Sequence, residues 1–374
     1  MISQLLALAA FLTALLVCLG ARQIGERFDV MAVPDNRRKR HAIPTPQVGG
    51  LAILAGLTIW MIGTLLLSGP TVNPLLLSVL LSAAGLGLVG FVDDQRDLSP
   101  PLRILMLLTF TGIAFALDPK LISSTLNWYS FAQTSISPWV YVPLMGLTTI
   151  GIVNSVNMAD GQNGLVGSMF AIWAGCLILV SSGTMADIAA ILLGLSLIFL
   201  LFNFSGKIFL GDCGSYGVTF ALGLLVARAH ADHLVSLETV IVWFFIPVMD
   251  CLRLMIARPL QGRSIFQGGR DHLHHRLIDT LGMRWSAVIY IAAVGSSSLV
   301  ATLYPRFALL CVCGLCAFYF SFARLLEGEV ANDRRSSPYT SSHGTYRRYI
   351  PSPSPGRRSV RRRGHPSQAG RYGS

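Results

Sequence analysis

The sequence predicts an all-α, polytopic membrane protein with about eleven transmembrane helices, on three observations. Of its 374 residues, 53% are hydrophobic and only 13% charged, and mean hydropathy is +0.59. That composition excludes an ordinary soluble domain and a disordered chain. Apolar runs close to the roughly 20 residues needed to cross hydrocarbon recur along the chain. The basic residues collect in three segments that an eleven-span count puts on one side.

The spans are expected near 2–21, 47–68, 73–92, 102–117, 138–154, 164–182, 185–203, 213–230, 236–256, 285–303 and 306–325. Residues 2–20 are apolar, no basic region precedes them, and Arg22 follows without a small-residue cleavage motif. The first span therefore reads as a retained anchor with its N-terminus outside. Segment 22–46 carries Arg22, Arg27, Arg37, Arg38, Lys39 and Arg40, and segment 257–284 carries Arg258, Arg263, Arg270, Arg276 and Arg284. Ten more arginines lie after residue 330. The other side keeps little beyond Lys120 and Arg306, with Arg228 near an outer helix end. Positive charge marks the cytoplasmic side, so the three segments and the C-terminus are expected there.

Residues 1–326 read as the integral membrane domain and 327–374 as a basic tail rich in Ser, Pro, Gly and Tyr. Such a tail is solvated and disordered. It serves either as an extension that enforces topology or as a contact for anionic headgroups. The seven cysteines sit mostly inside apolar runs, with no spacing for a disulfide frame or a zinc site. No repeat of fixed period supports an inverted-repeat transporter.

Four polar clusters sit at ends of apolar segments, all on the expected cytoplasmic side. Acids are scarce in this chain, so their gathering at one membrane face points to function. Asp93, Asp94 and Asp97 close the third span, and spacing of three or four aligns Asp93 or Asp94 with Asp97 on a helix. Paired carboxylates suit Mg²⁺; a charged helix end or a cap is the alternative. Asn154, Asn157, Asp160 and Asn163 follow the fifth span at intervals of three, beside Gly161 and Gly164. Amides on one face suit a base or an acetamido group; a capped polar loop is the alternative. Gly211-Asp212-Cys213-Gly214-Ser215 precedes the eighth span, with Asn203 and Lys207 just before it. Free N–H groups at a helix start suit phosphate and metal, and an N-cap explains Asp212 equally.

Arg270-Asp271-His272-Leu273-His274-His275-Arg276 lies in what reads as the largest internal cytoplasmic loop. Three imidazoles among arginines can hold a diphosphate. A zinc site and a solvated basic loop are the alternatives. Segment 38–50 could hold a phosphate, although topology explains its charge as well. Asp250, in an apolar helix after Pro247, either pairs with Arg253 or faces the site.

Five patterns occur in order from Arg38 to Leu277: RK-x-H-x2-PTP-x2-GG, DDxxD, NxxNxxDGxxGL, N-x3-K-x3-GD-x-GS and DHLHH. Together they resemble the polyprenyl-phosphate N-acetylhexosamine-1-phosphate transferases of glycosyltransferase family 4. The HxHH form is similar to the branch that uses N-acetylglucosamine-1-phosphate; the phospho-N-acetylmuramoyl-pentapeptide transferases are the neighbouring alternative. The resemblance covers about two-thirds of the chain and leaves out the tail. It implies a location in a bacterial inner membrane, a cytoplasmic active-site cleft, undecaprenyl phosphate and a UDP-N-acetylhexosamine as substrates, and Mg²⁺, or Mn²⁺ in its place, as cofactor. It further implies Asp212 as metal ligand, with Asp94 supporting metal or phosphates. Asp93 would contact or deprotonate the lipid phosphate. Asn157, Asp160 and Asn163 would bind the nucleotide-sugar. Arg270, His272, His274 and His275 would hold diphosphate and sugar, with His274 among the catalytic groups, and Asn203 and Lys207 would support the phosphate region. Membrane lipids are expected partners, a homodimer is a compatible assembly, and no nucleic acid is expected.

Three other classes compete. A secondary transporter would line a path across the membrane with its ionisable groups, whereas these acids gather at one face. A membrane prenyltransferase would need a second aspartate-rich motif. A scaffold acting through the tail leaves every cluster without a purpose.

Overall fold

The computed structural model describes residues 2–34, 43–69, 72–264, 269 and 271–336, with 323–336 described by backbone alone. The basic residues 37–41, Arg270 and the tail after residue 336 lie outside the described residues. The chain divides into two units, Met1–Glu329 and Val330–Ser374.

Twelve α-helices are described: α1 (Ile2–Leu19), α2 (Ala21–Arg27), α3 (Gly49–Leu67), α4 (Pro74–Arg96), α5 (Pro100–Leu117), α6 (Pro138–Ala159), α7 (Leu165–Val180), α8 (Gly183–Asn203), α9 (Gly211–Ala231), α10 (Leu237–Leu260), α11 (Leu273–Leu303) and α12 (Ala308–Ser336). Two antiparallel two-stranded pairs are the sheet among the described residues: β1 (Met31–Ala32) with β2 (Thr45–Pro46), and β3 (Thr125–Leu126) with β4 (Thr134–Ser135). The protein is all-α and polytopic. Every expected span coincides with a helix. By length and composition, nine of the described helices can cross a membrane. The other two are α7, apolar but of 16 residues, and α9, whose polar first turns and Arg228 lower its hydropathy.

Local chemistry sets the helix ends. Asn73 accepts the Leu76 N–H at 3.2 Å and Pro74 opens α4. Ser236 does the same for α10 by accepting the Thr239 N–H at 3.3 Å. Asp97 ends α4 in the left-handed region, with φ 50°. Two expectations need correction. The amides Asn154 and Asn157 lie within α6 rather than after it. The segment expected as a loop to residue 284 becomes helix at Leu273, broken only at Gly282, where φ is 79°. Glycine tolerates that angle at no steric cost, so a short helical arm precedes the span.

α9 lies at the centre of the bundle, buried along most of its length. Glycine contacts allow this. A Cβ on Gly50 of α3 would lie 2.0 Å from the Gly214 nitrogen, and one on Gly90 of α4 would lie 2.3 Å from the Asp212 carbonyl oxygen. At the far end of α9, Arg228 pairs with buried Asp118 at 2.6 Å and with Asp232 at 2.8 Å. There Glu238 accepts the Tyr129 and Ser130 N–H groups at 3.0 and 2.9 Å, which anchors the β3–β4 turn.

The Gly90 contact yields a test. Backbone cannot swing aside as a side-chain tip can, so Gly90→Ala overpacks the α4–α9 crossing. A loss of about 1–3 kcal/mol is expected, read as a lower melting temperature in detergent. An unchanged melt would contradict the crossing.

Candidate active site

The site begins with the exposed amides that any helix start leaves unpaired. At α9 these belong to Asp212 and Cys213. Asp94, from the last turn of α4, accepts the Asp212 N–H at 3.0 Å through Oδ1 and the Cys213 N–H at 3.1 Å through Oδ2. Gln47 donates to Oδ1 at 3.0 Å. A carboxylate on a helix N-terminus also meets the positive end of its dipole. Gly211 makes the approach possible: its φ is 73°, and a Cβ there would lie 2.7 Å from Asp94 Oδ2. Asp94 therefore caps α9 from another helix, and both its oxygens are engaged.

Asp93 engages a different set of partners and is 3% exposed. Its Oδ1 accepts the Leu98 N–H at 2.7 Å. Its Oδ2 accepts the Tyr216 hydroxyl at 2.8 Å and meets Arg103 Nε at 2.9 Å. Arg103 also pairs with the exposed Asp97 at 2.7 Å. Asp93 and Asp97 thus share a face, as spacing suggests, and one guanidinium joins them. With three donors on its oxygens, Asp93 is a buried and fully partnered carboxyl group.

Asp212 lies at the centre. Its Oδ1 accepts from Asn157 Nδ2 at 2.6 Å, and the same amide donates to Ser215 Oγ at 2.8 Å. This joins α6 to the first turn of α9. Asp160 caps α6 one turn beyond Asn157. Burial, and then the negative charge of Asp212, push its carboxyl from an ordinary 3.8 up to about 7.

The remaining candidates divide. Asn163 lies near Gly206, whose Cβ would stand 3.2 Å from its Nδ2. Asn203 is spent on backbone: it accepts the Gly164 N–H at 2.6 Å and donates to the Ile208 carbonyl at 2.8 Å. It shapes the loop ahead of α9. Lys207 is exposed on that loop. His272, His274 and His275 open α11. His274 is 1% exposed and packs on Gly161, where a Cβ would lie 2.2 Å from its Nε2. His272 and His274 stack at 5.6 Å, and His274 and His275 lie 4.2 Å apart. The histidine arm therefore meets the Asp160 turn directly.

Sequence reasoning missed Gln47, Arg103 and Tyr216. Arg103 lies inside a different helix from the acid it serves, and Tyr216 reads as one more core aromatic. Among the described residues, no group of three or more His, Cys, Asp or Glu is arranged to hold a metal. Mg²⁺ does not require one, since it takes one or two carboxylates and completes its shell with waters and substrate phosphates. Asp212, with neighbouring acids and Asn157 donating to its carboxylate, fits that donor set.

Residues 76–230 match the family model described as Glycosyl transferase family 4. The chain is 26% identical over 283 residues to a probable undecaprenyl-phosphate N-acetylglucosaminyl 1-phosphate transferase of Bacillus subtilis (strain 168), covering 72% of this chain and 76% of that one. It is 28% identical over 284 residues to the undecaprenyl-phosphate alpha-N-acetylglucosaminyl 1-phosphate transferase of Escherichia coli (strain K12), covering 72% and 75%. It is 27% identical over 303 residues to the decaprenyl-phosphate N-acetylglucosaminephosphotransferase of Mycobacterium tuberculosis (strain ATCC 25618 / H37Rv), covering 69% and 71%.

Asp160 predicts a pH dependence. A carboxyl whose folded pKa lies above its unfolded value is stable folded when protonated, so its ionisation costs stability. The cost is absent below 3.8, grows as pH rises towards about 7, and is complete above that. Without divalent cations, wild-type melting temperature should fall across this window more steeply than that of Asp160→Asn. Equal slopes in a melting series would remove the assignment.

Proposed function

We propose that this chain, whose residues 76–230 match the Glycosyl transferase family 4 model, transfers N-acetylglucosamine-1-phosphate from UDP-N-acetylglucosamine to undecaprenyl phosphate, releasing UMP. An oxygen of the lipid phosphate attacks the β-phosphorus of the donor. The bond from that phosphorus to the oxygen bridging to the α-phosphate breaks, and UMP leaves with that oxygen. A phosphate monoester is already anionic near neutral pH, so the attack needs little base catalysis. Positioning and charge neutralisation carry most of the acceleration.

The observation that carries this reading is the meeting of three motifs at hydrogen-bond distance. Asp94 of DDxxD holds the α9 amides, and Asn157 of NxxNxxDG holds Asp212 of GDxGS. Phosphoryl transfer needs such a convergence of acids and amides around a charged substrate. Asp212 would hold Mg²⁺, or Mn²⁺ in its place. Asp94 would support that ligand by fixing the first turn of α9 rather than by sharing the ion. Held at Asp212, such an ion would supply neutralisation of the negative charge on the donor diphosphate. Asp160 and Asn163, on the turn after α6, would meet the nucleotide-sugar. Asp93 would act as a fixed charge that aligns Arg103 and Tyr216. Lys207, Arg270, His274 and His275 supply cations and donors for phosphate and sugar. The three basic segments support a cytoplasmic face for this end of the bundle, where a nucleotide-sugar is available.

Incubating membranes with undecaprenyl phosphate, Mg²⁺ and a panel of UDP-sugars, and following UMP release, tests the reading. Asp212→Asn should lower transfer by about a hundredfold or more while the protein stays inserted and melts normally. Excess EDTA should abolish wild-type turnover. Wild-type rates in the variant would remove Asp212 as ligand, and full activity in EDTA would remove the metal.

A further inference from the structure

Asp250 lies in α10, three residues after Pro247, and is 5% exposed. A carboxylate buried among apolar helices is costly unless its oxygens are engaged. Its Oδ1 accepts the Leu273 backbone N–H at 3.1 Å, the Tyr319 hydroxyl at 2.9 Å and Arg253 Nη2 at 3.1 Å. Its Oδ2 accepts from His272 Nδ1 at 2.9 Å. Leu273 is the first residue of α11, so Asp250 caps that helix from outside, much as Asp94 caps α9. Tyr319 comes from α12, is fully buried, and accepts Arg253 Nε at 2.6 Å while donating to Asp250. Arg253 also reaches the Asp271 carbonyl oxygen.

These contacts decide the state of His272. A carboxylate on Nδ1 requires the proton there, which leaves the Nε2 lone pair towards Arg258 Nη2, 3.5 Å away. Arg258 is itself held by Asp271 at 3.0 Å. Burial works against charge on Asp271, yet the Arg258 hydrogen bond outweighs it and holds the carboxyl at about 2. Both nitrogens of His272 are therefore engaged inside the protein. His272 stacks on His274, and His274 rests on Gly161 beside Asp160. The rotation of the first turn of α11 thus determines where His274 and His275 stand.

We propose that Asp250 is a positioning residue for the donor half of the site, acting with Tyr319 and Arg253. It fixes the tautomer of His272 and the N-terminus of α11, and so aims His274 and His275 at the donor diphosphate. The last clause rests on the transferase reading above; the latch itself does not.

Asp250→Asn is the informative change. Its carboxamide oxygen can still accept from Leu273, Tyr319 and Arg253, which leaves the NH₂ facing His272 Nδ1. His272 must then move its proton to Nε2, against the Arg258 guanidinium. In the full-length protein in detergent, we expect amide exchange at residues 273–276 to rise about tenfold. We expect kcat/KM for UDP-N-acetylglucosamine to fall about tenfold or more, with KM for polyprenyl phosphate unchanged. Asp250→Asn combined with His272→Gln should be no worse than His272→Gln alone, because the first acts through the second. Tyr319→Phe, which removes only a hydroxyl, should move exchange and donor kinetics the same way by less, and it serves if Asp250→Asn does not fold. Unchanged exchange in both variants overturns the latch. So do multiplicative losses in the double variant, or donor and acceptor parameters that worsen together. If the wild type releases no UMP from any UDP-N-acetylhexosamine, the transferase reading fails and the exchange measurement alone decides the latch.

Discussion

The architecture depends on a carboxylate set on a helix end. Asp94 satisfies two N–H groups at the buried start of α9, which no residue within α9 satisfies. Left unpartnered there, such groups would cost about 1–3 kcal/mol each. The same bond fixes the register between α4 and α9, and α9 carries Asp212, Ser215 and Tyr216 into the site. Gly50, Gly90 and Gly211 are required for the approach, since a Cβ at any of them would strike backbone or the carboxylate. Asp94 and Asp250 apply one device twice: an acid on one membrane helix caps the next functional helix.

Electrostatics explain why acids can crowd here. Each meets its charge differently. Arg103 and Tyr216 hydrogen-bond Asp93, backbone amides hydrogen-bond Asp94, and Asp160 is pushed towards neutrality. Asp212 takes the Asn157 amide on its carboxylate and lies beside Asp93. That distribution gives Asp93 and Asp94 structural work between α4, α5 and α9. Near α11 the order differs: His272 is locked by Asp250 and Arg258, while His274 reaches the Asp160 turn.

Much of the fold was legible in the sequence because membrane crossing imposes long apolar runs, and each expected span is a helix. The motifs were legible as clusters because polar residues stand out among apolar ones. Their roles were less so. Spacing aligned Asp93 with Asp97, but it could not reveal Arg103 between them. Tyr216 and Asp93 are 123 residues apart, and only the α4–α9 crossing brings them together. Asn203 read as a substrate ligand because it neighbours Lys207, yet backbone groups take both ends of its amide. The two readings of Asp250, pairing with Arg253 or facing the site, both describe it, since one carboxylate holds Arg253 and the histidine arm. The helix at Leu273 was hidden because Gly282 interrupts its pattern before the apolar span begins.

We propose that Asp212, held between Asp94 and Asn157, is where a divalent ion meets the nucleotide-sugar. The most direct measurement is an anomalous difference map from crystals grown with Mn²⁺ and UDP-N-acetylglucosamine. A manganese peak within coordination distance of an Asp212 oxygen, with the diphosphate on its other side, is the predicted result. A peak among the histidines of α11, or one bound away from Asp212, would contradict the account.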